Sequence, residues 1–144
     1  MVACDIDDST GLTPKQSVRV YPEEFVGAGH PDNFGKADFW TAEAVLSHDD
    51  RYLITICRID HSLSVLPVLP DGSLDASNQQ RVQLLPGSNA RNLTLTPSGG
   101  NLLVASQDAD AVEVFRLELG DGSGALLTRV DTQPVNCAAD VAVV

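Results

Sequence analysis

Apolar residues recur along the chain in short runs, either alternating with polar residues or nearly continuous, and each run ends in turn chemistry. The clearest stretch is Ala90–Leu117, where Leu93–Leu95, Leu102–Ala105 and Val112–Leu117 are divided by a Pro-Ser-Gly-Gly turn and a polar Gln-Asp-Ala-Asp loop. Runs of this length between such turns predict an antiparallel meander. The same pattern occurs once before. Laying Leu46–Ile54 over Leu95–Leu103 shifts the chain by 49 residues, and the offset persists without a gap to Leu63 over Val112, Val65 over Val114 and Leu66 over Phe115.

A self-similar unit of about 40 to 50 residues with about four strand signals predicts a β-propeller blade. The expected fold is all-β: a partial propeller of four-stranded antiparallel blades, two complete, with part-blades at each end. Residues 1–24 are the end of one blade, with a strand remnant at Met1–Ile6, turn chemistry at Asp7–Gly11 and an alternating outer strand from Val18 to Pro22. Residues 25–41 are a connecting loop whose Phe34, Phe39 and Trp40 suit either an apolar plug or a substrate-facing segment. Residues 42–88 form a complete blade with strands near 43–47, 52–57, 63–68 and 81–85, the last two joined by the Asp71-Gly72 hairpin. Residues 89–132 form the next, with its hairpin at Gly120–Gly124, and residues 133–144 a terminal strand.

Composition narrows the function classes. The net charge of −11, with only two lysines, excludes the basic footprint of a nucleic-acid or anionic-membrane surface. Cys4, Cys57 and Cys137 lie far apart without Cys-x-x-Cys spacing, so neither a structural zinc site nor a disulfide scaffold is expected. With no leader and no apolar run of about 18 residues, the expected location is cytoplasmic. At 144 residues the chain is shorter than the four blades of about 40 residues that close a ring. It therefore reads as the C-terminal part of a longer protein or as a truncated product, completed by missing blades in cis or by self-association through open strand edges.

Glu43–Val65 (E-A-V-L-S-H-D-D-R-Y-L-I-T-I-C-R-I-D-H-S-L-S-V) and the stretch from Arg91 to Phe115 resemble two consecutive blades of the lactonase family of seven-bladed propellers, which includes 6-phosphogluconolactonases and, more distantly, carboxymuconate cyclases. The likeness runs from about Leu12 to Pro134 and is narrowed by Glu43, Arg58 and Arg91-Asn92 at matching places. Two departures stand near the presumed site. The family's His-Pro before the second arginine is Asn89-Ala90 here, and the Asn before the first arginine is Cys57.

In a propeller blade the start of the first strand and the end of the second meet on one face. That geometry would gather Glu43, Arg58, Arg91, Asn92 and Gln107 around the channel mouth. The resemblance implies opening of an anionic sugar lactone such as 6-phosphogluconolactone without metal or organic cofactor. Arg58 and Arg91 would bind the anion or oxyanion and Glu43 would act as general base or orient an arginine, making these the expected catalytic residues. Asn92, Gln107 and His61 are the expected substrate-binding groups. Glu43 and Arg58 can equally form a structural salt bridge, and His61 can be a solvated loop residue. The competing functions are a non-catalytic protein-interaction propeller and an inactive relic.

Overall fold

The computed structural model describes residues 2–7, 11–21, 41–58, 60–120 and 125–143, and of residues 2–7 and Leu12 the backbone only. The ten strands among the described residues are all antiparallel to their neighbours and fall into three sheets. β1 (Val2–Asp7) and β2 (Gly11–Ser17) form a two-stranded hairpin. β3 (Thr41–Leu46), β4 (Tyr52–Cys57), β5 (Ser62–Pro67) and β6 (Gln80–Gln83) form one meander in that spatial order. β7 (Ala90–Leu95), β8 (Asn101–Ser106), β9 (Ala111–Leu119) and β10 (Ala125–Pro134) form the second. The fold is that of a partial propeller with two four-stranded blades.

The 49-residue repeat is physical down to the backbone. β3 and β4 superimpose by number on β7 and β8, and their turns repeat the same bonds. Ser47 N donates to Tyr52 O as Thr96 N does to Asn101 O, and Val68 N to Arg51 O as Leu117 N does to Gly100 O. The left-handed residues repeat too: Asp50 (φ 57°) matches Gly99 (72°), and His61 (51°) matches Asp110 (49°). Asp and Asn tolerate this region because their short polar side chains bond locally.

Two expected strands are corrected. The outer strand of the first hairpin is Gly11–Ser17, and Val18–Tyr21 of the strand expected over Val18–Pro22 are not in a strand; among the described residues β1 supplies no ladder partner beyond the Val2↔Ser17 pair. The alternation of Val18 and Val20 reports burial instead, since both pack with Leu66 and Leu74 against the first blade. The separate terminal strand expected over 133–144 is not formed by the described residues: Gln133 and Pro134 belong to β10, which ends there, and residues 135–143 are irregular. They form a crossover like the one that leaves β6, for Val135 N donates to Asp110 O as Leu84 N donates to His61 O. No described strand forms a ladder with them. The connecting loop, apart from Thr41, and the Gly120–Gly124 hairpin, apart from Gly120, lie outside the described residues.

The core is sandwiched between the two blades. Tyr52, Ile54, Ile56, Leu63 and Val65 from the first meet Leu93, Leu102, Val104 and Phe115 from the second. Each fully buried side chain of this size contributes about 1.5–3 kcal/mol. Polar clasps complete the packing at both inter-blade junctions. Ser64 Oγ and Arg81 Nη1 both donate to Val20 O, at 2.7 and 2.5 Å. At the position equivalent to Ser64 stands Glu113, wholly buried, which accepts from Leu85 N at 3.2 Å and from Ser106 Oγ at 2.6 Å. Arg129 pairs with it at 2.8 Å and also donates to Gln83 O at 2.9 Å.

Removing one partner of a buried pair leaves the other groups unsatisfied, so Glu113→Ala is expected to lower stability in urea denaturation by about 2–3 kcal/mol, Arg129 being partly able to rehydrate. Gly99→Ala is expected to cost about 1–2 kcal/mol, because a Cβ there would stand 2.9 Å from His48 Nδ1 on a residue already at φ 72°. In the first-blade turn, Asp49 accepts from Ser47 Oγ at 2.6 Å and from Arg51 Nε at 2.6 Å. The Ser47 bond chiefly, with help from Arg51, lowers its carboxyl from an ordinary 3.8 to about 2. Its contribution is thus present above about pH 4 and lost as pH falls towards 2. The stability difference between the protein and Asp49→Asn should vanish over that window in acid titration of unfolding.

Candidate functional site

Strand pairing brings the chemistry-bearing ends together. Thr41 pairs with Cys57 and Ala90 with Ser106, so Arg58 and Gln107 emerge beside the starts of the first strands, and β3 packs alongside β7. On this face Arg58 Nε and Nη2 both donate to Asn89 Oδ1, at 2.8 and 2.5 Å. Asn89 Nδ2 passes on to Asp108 Oδ2 at 2.9 Å, and Asp108 N returns to Ser88 O at 3.1 Å. Arg91 Nε donates to Gln107 Oε1 at 2.5 Å, and Gln107 Nε2 to Cys137 Sγ at 3.4 Å. The site is therefore two arginines from adjacent blades, each gripped at Nε by an amide oxygen. Among the described residues the Nη1 and Nη2 groups of Arg91 donate to no protein acceptor.

The electrostatics follow from this crowding. Burial first, and then the like charge of Arg91, draw the Arg58 guanidinium below its ordinary value, while Asp108 pulls it the other way. Guanidinium stays charged through such a shift, so Arg58 remains a cation.

The other expected residues are placed less uniformly. His61 joins the group, its Nδ1 facing Asn89 N at 3.4 Å, and takes the left-handed φ that its loop requires. Asn92 spends its Oδ1 on Val141 N at 3.3 Å, a bond to the C-terminal crossover. Glu43 is exposed on β3, and among the described residues its Oε1 faces only the neighbouring Ala44 N at 3.4 Å. No ion pair joins Glu43 to Arg58 among the described residues, so the salt bridge open to them in sequence is not formed.

Three residues of the site were not singled out by sequence reasoning. Asn89 stands where a histidine would have been expected and reads in sequence as a loss. Its φ of 42° explains the residue type, since Asn is among the few residues that tolerate that backbone, but the angle is visible only in the structure. Asp108 lies inside a polar loop with no mark of its own. Cys137, also left-handed at φ 52°, donates its N–H to Asp110 Oδ1 at 2.7 Å and arrives through the crossover, which no local pattern announces. Among the described residues no three His, Cys, Asp or Glu side chains gather as metal ligands.

The sequence matches the family described as lactonase, seven-bladed β-propeller, over residues 1–143. No curated protein sequence matches it. Solved structures resemble it in fold. The periplasmic gluconolactonase of Pseudomonas aeruginosa aligns over 96% of this chain and 35% of its own, with 22% identity and a TM-score of 0.75. A Lactobacillus plantarum protein aligns over 96% and 36%, with 22% identity and 0.73. A putative 6-phosphogluconolactonase from Bacteroides fragilis aligns over 96% and 34%, with 23% identity and 0.69. The chain thus spans about a third of the length of these relatives. The cytoplasmic location expected from sequence is corrected by the Pseudomonas protein, which is periplasmic. That no described helix is long and apolar enough to cross a membrane does not fix a compartment. The repeat of 49 residues, the two blades and the match along nearly the whole sequence converge: the chain belongs to the lactonase family of seven-bladed β-propellers.

Proposed function

We propose that the chain forms one sector of an enzyme that opens an anionic sugar lactone by hydrolysis. The observation that carries this reading is the pair of guanidiniums from adjacent blades, each fixed at Nε by an amide oxygen, with the Nη nitrogens of Arg91 unengaged among the described residues. A fork held at one end and open at the other suits a planar carboxylate or a developing oxyanion. The relatives that are gluconolactonases, established or putative, support the reaction class.

In this scheme water adds to the lactone carbonyl, with Glu43 taking its proton. Arg91 and Arg58 share the substrate's anionic group and the tetrahedral oxyanion. The ring C–O bond then breaks and the leaving alkoxide recovers the proton, giving the hydroxy acid. Glu43 fits the base role by exposure on the inner strand β3 and by having no cation paired to it among the described residues. Gln107 orients Arg91, and His61 and Asn92 frame the site.

The test is lactone hydrolysis by the full-length protein, followed with 6-phosphogluconolactone and with a carboxylated aldonolactone. Arg91→Ala is expected to lower kcat/KM about 100-fold, and Arg91→Lys to restore little of it. Glu43→Gln is expected to lower kcat while leaving KM nearly unchanged. Undiminished hydrolysis by Arg91→Ala would overturn the site assignment; no turnover of any lactone by a folded protein would favour a binding propeller instead.

A further inference from the structure

The two arginines are held alike at Nε but differ in what stands behind the holding amide. Behind Gln107, which holds Arg91, is the thiol of Cys137 at 3.4 Å. Behind Asn89, which holds Arg58, is the carboxylate of Asp108 at 2.9 Å. Arginine can only donate and an ionised carboxylate only accept, so one orientation of the Asn89 amide satisfies both: Oδ1 to Arg58 and Nδ2 to Asp108. The residue type is equally constrained by the backbone. At φ 42° glycine would fit without supplying an amide, and aspartate would fit while setting a carboxylate against Asp108. A further anion, Asp110, lies two residues on, with its Oδ1 taken by Cys137 N at 2.7 Å.

We infer that Asn89 is a positioning residue that fixes the Arg58 guanidinium for the substrate, and that Asp108, held by the same amide, restricts the site to singly charged anions. The inference rests on the anion-binding reading above and narrows its substrate class to a lactone bearing a carboxylate in preference to a phosphate dianion. Arg91 is held through an amide backed by a neutral thiol, whereas the charge of Arg58 is offset by Asp108 through one intervening amide. A second negative charge on the ligand therefore meets Asp108 with little remaining cation to balance it.

The experiment measures calorimetric binding of gluconate, as the single-charge probe, and sulfate, as the double-charge probe, to the full-length protein and two variants. Asn89→Gly keeps the left-handed backbone and removes the amide; it should weaken both probes about tenfold, the loss of charge-assisted bonds that position the fork. Asp108→Asn keeps an acceptor for Asn89 Nδ2 and removes the charge; it should tighten sulfate about threefold more than gluconate. Opposite directions from neighbouring substitutions separate this from a merely structural role, which would weaken binding in both. Unchanged binding in Asn89→Gly, or equal effects of Asp108→Asn on the two probes, would overturn the inference. If the unmodified protein bound neither probe, the anion reading itself would fall and the charge restriction with it. The Arg58 Nε–Hε nuclear magnetic resonance signal then decides the positioning alone: a shift in Asn89→Gly upholds it and an unmoved signal refutes it.

Discussion

The constraint on which the rest depends is that a blade cannot bury its own faces. Each sheet is one layer thick, and its apolar side chains leave water only when another sheet lies over them. Ile54 and Val65 of the first blade are covered by the second and are 0% and 1% exposed. Their counterparts at the 49-residue offset, Leu103 and Val114, lie on the uncovered face of the second blade and remain only half-buried. Identical placement within a sheet thus gives different burial, decided by the neighbour alone.

The polar clasps make the same junction specific. The peptide before Tyr21 and the peptide before Leu85 occupy matching places, each just ahead of a proline. One is held by its carbonyl through Ser64 and Arg81, the other by its N–H through Glu113. Serine donates where carboxylate accepts, so the repeat preserves the contact while inverting its polarity. Glu113 also grips Ser106, which directly precedes Gln107, and the Leu85 that leads into Asn89. The buried carboxylate therefore lies beneath both segments that hold the arginines, and the stability of the junction and the geometry of the site share a foundation.

Much of the fold was legible beforehand because alternation and turn chemistry are local. Tyr52–Cys57 reads as a strand and forms β4, since a run of β-branched and apolar residues between turns has few other options. Val18–Pro22 shows the limit: alternation signals which side chains are buried, and a ladder also needs a partner strand. The site was legible to the extent that propeller geometry places strand ends on one face, which brought Arg58, Arg91, Gln107 and His61 together. Asn92 lies on the same inner strand as Arg91 but serves the crossover, and Glu43 stands on its own inner strand without touching the arginines in the described contacts.

The sequence by itself determined the repeat, its offset, the strands within it, the turns and the family, because each follows from residue patterns over fewer than about 50 positions. Only the tertiary structure decided that Asn89 bridges Arg58 to Asp108, that Cys137 stands behind Gln107 and that Glu113 ties the blades together. These contacts join residues 19 to 31 positions apart, across a blade junction, between two loops of one blade, or back from the terminal crossover. No local pattern encodes them, since they exist only once two sheets have packed and their loops have met on one face.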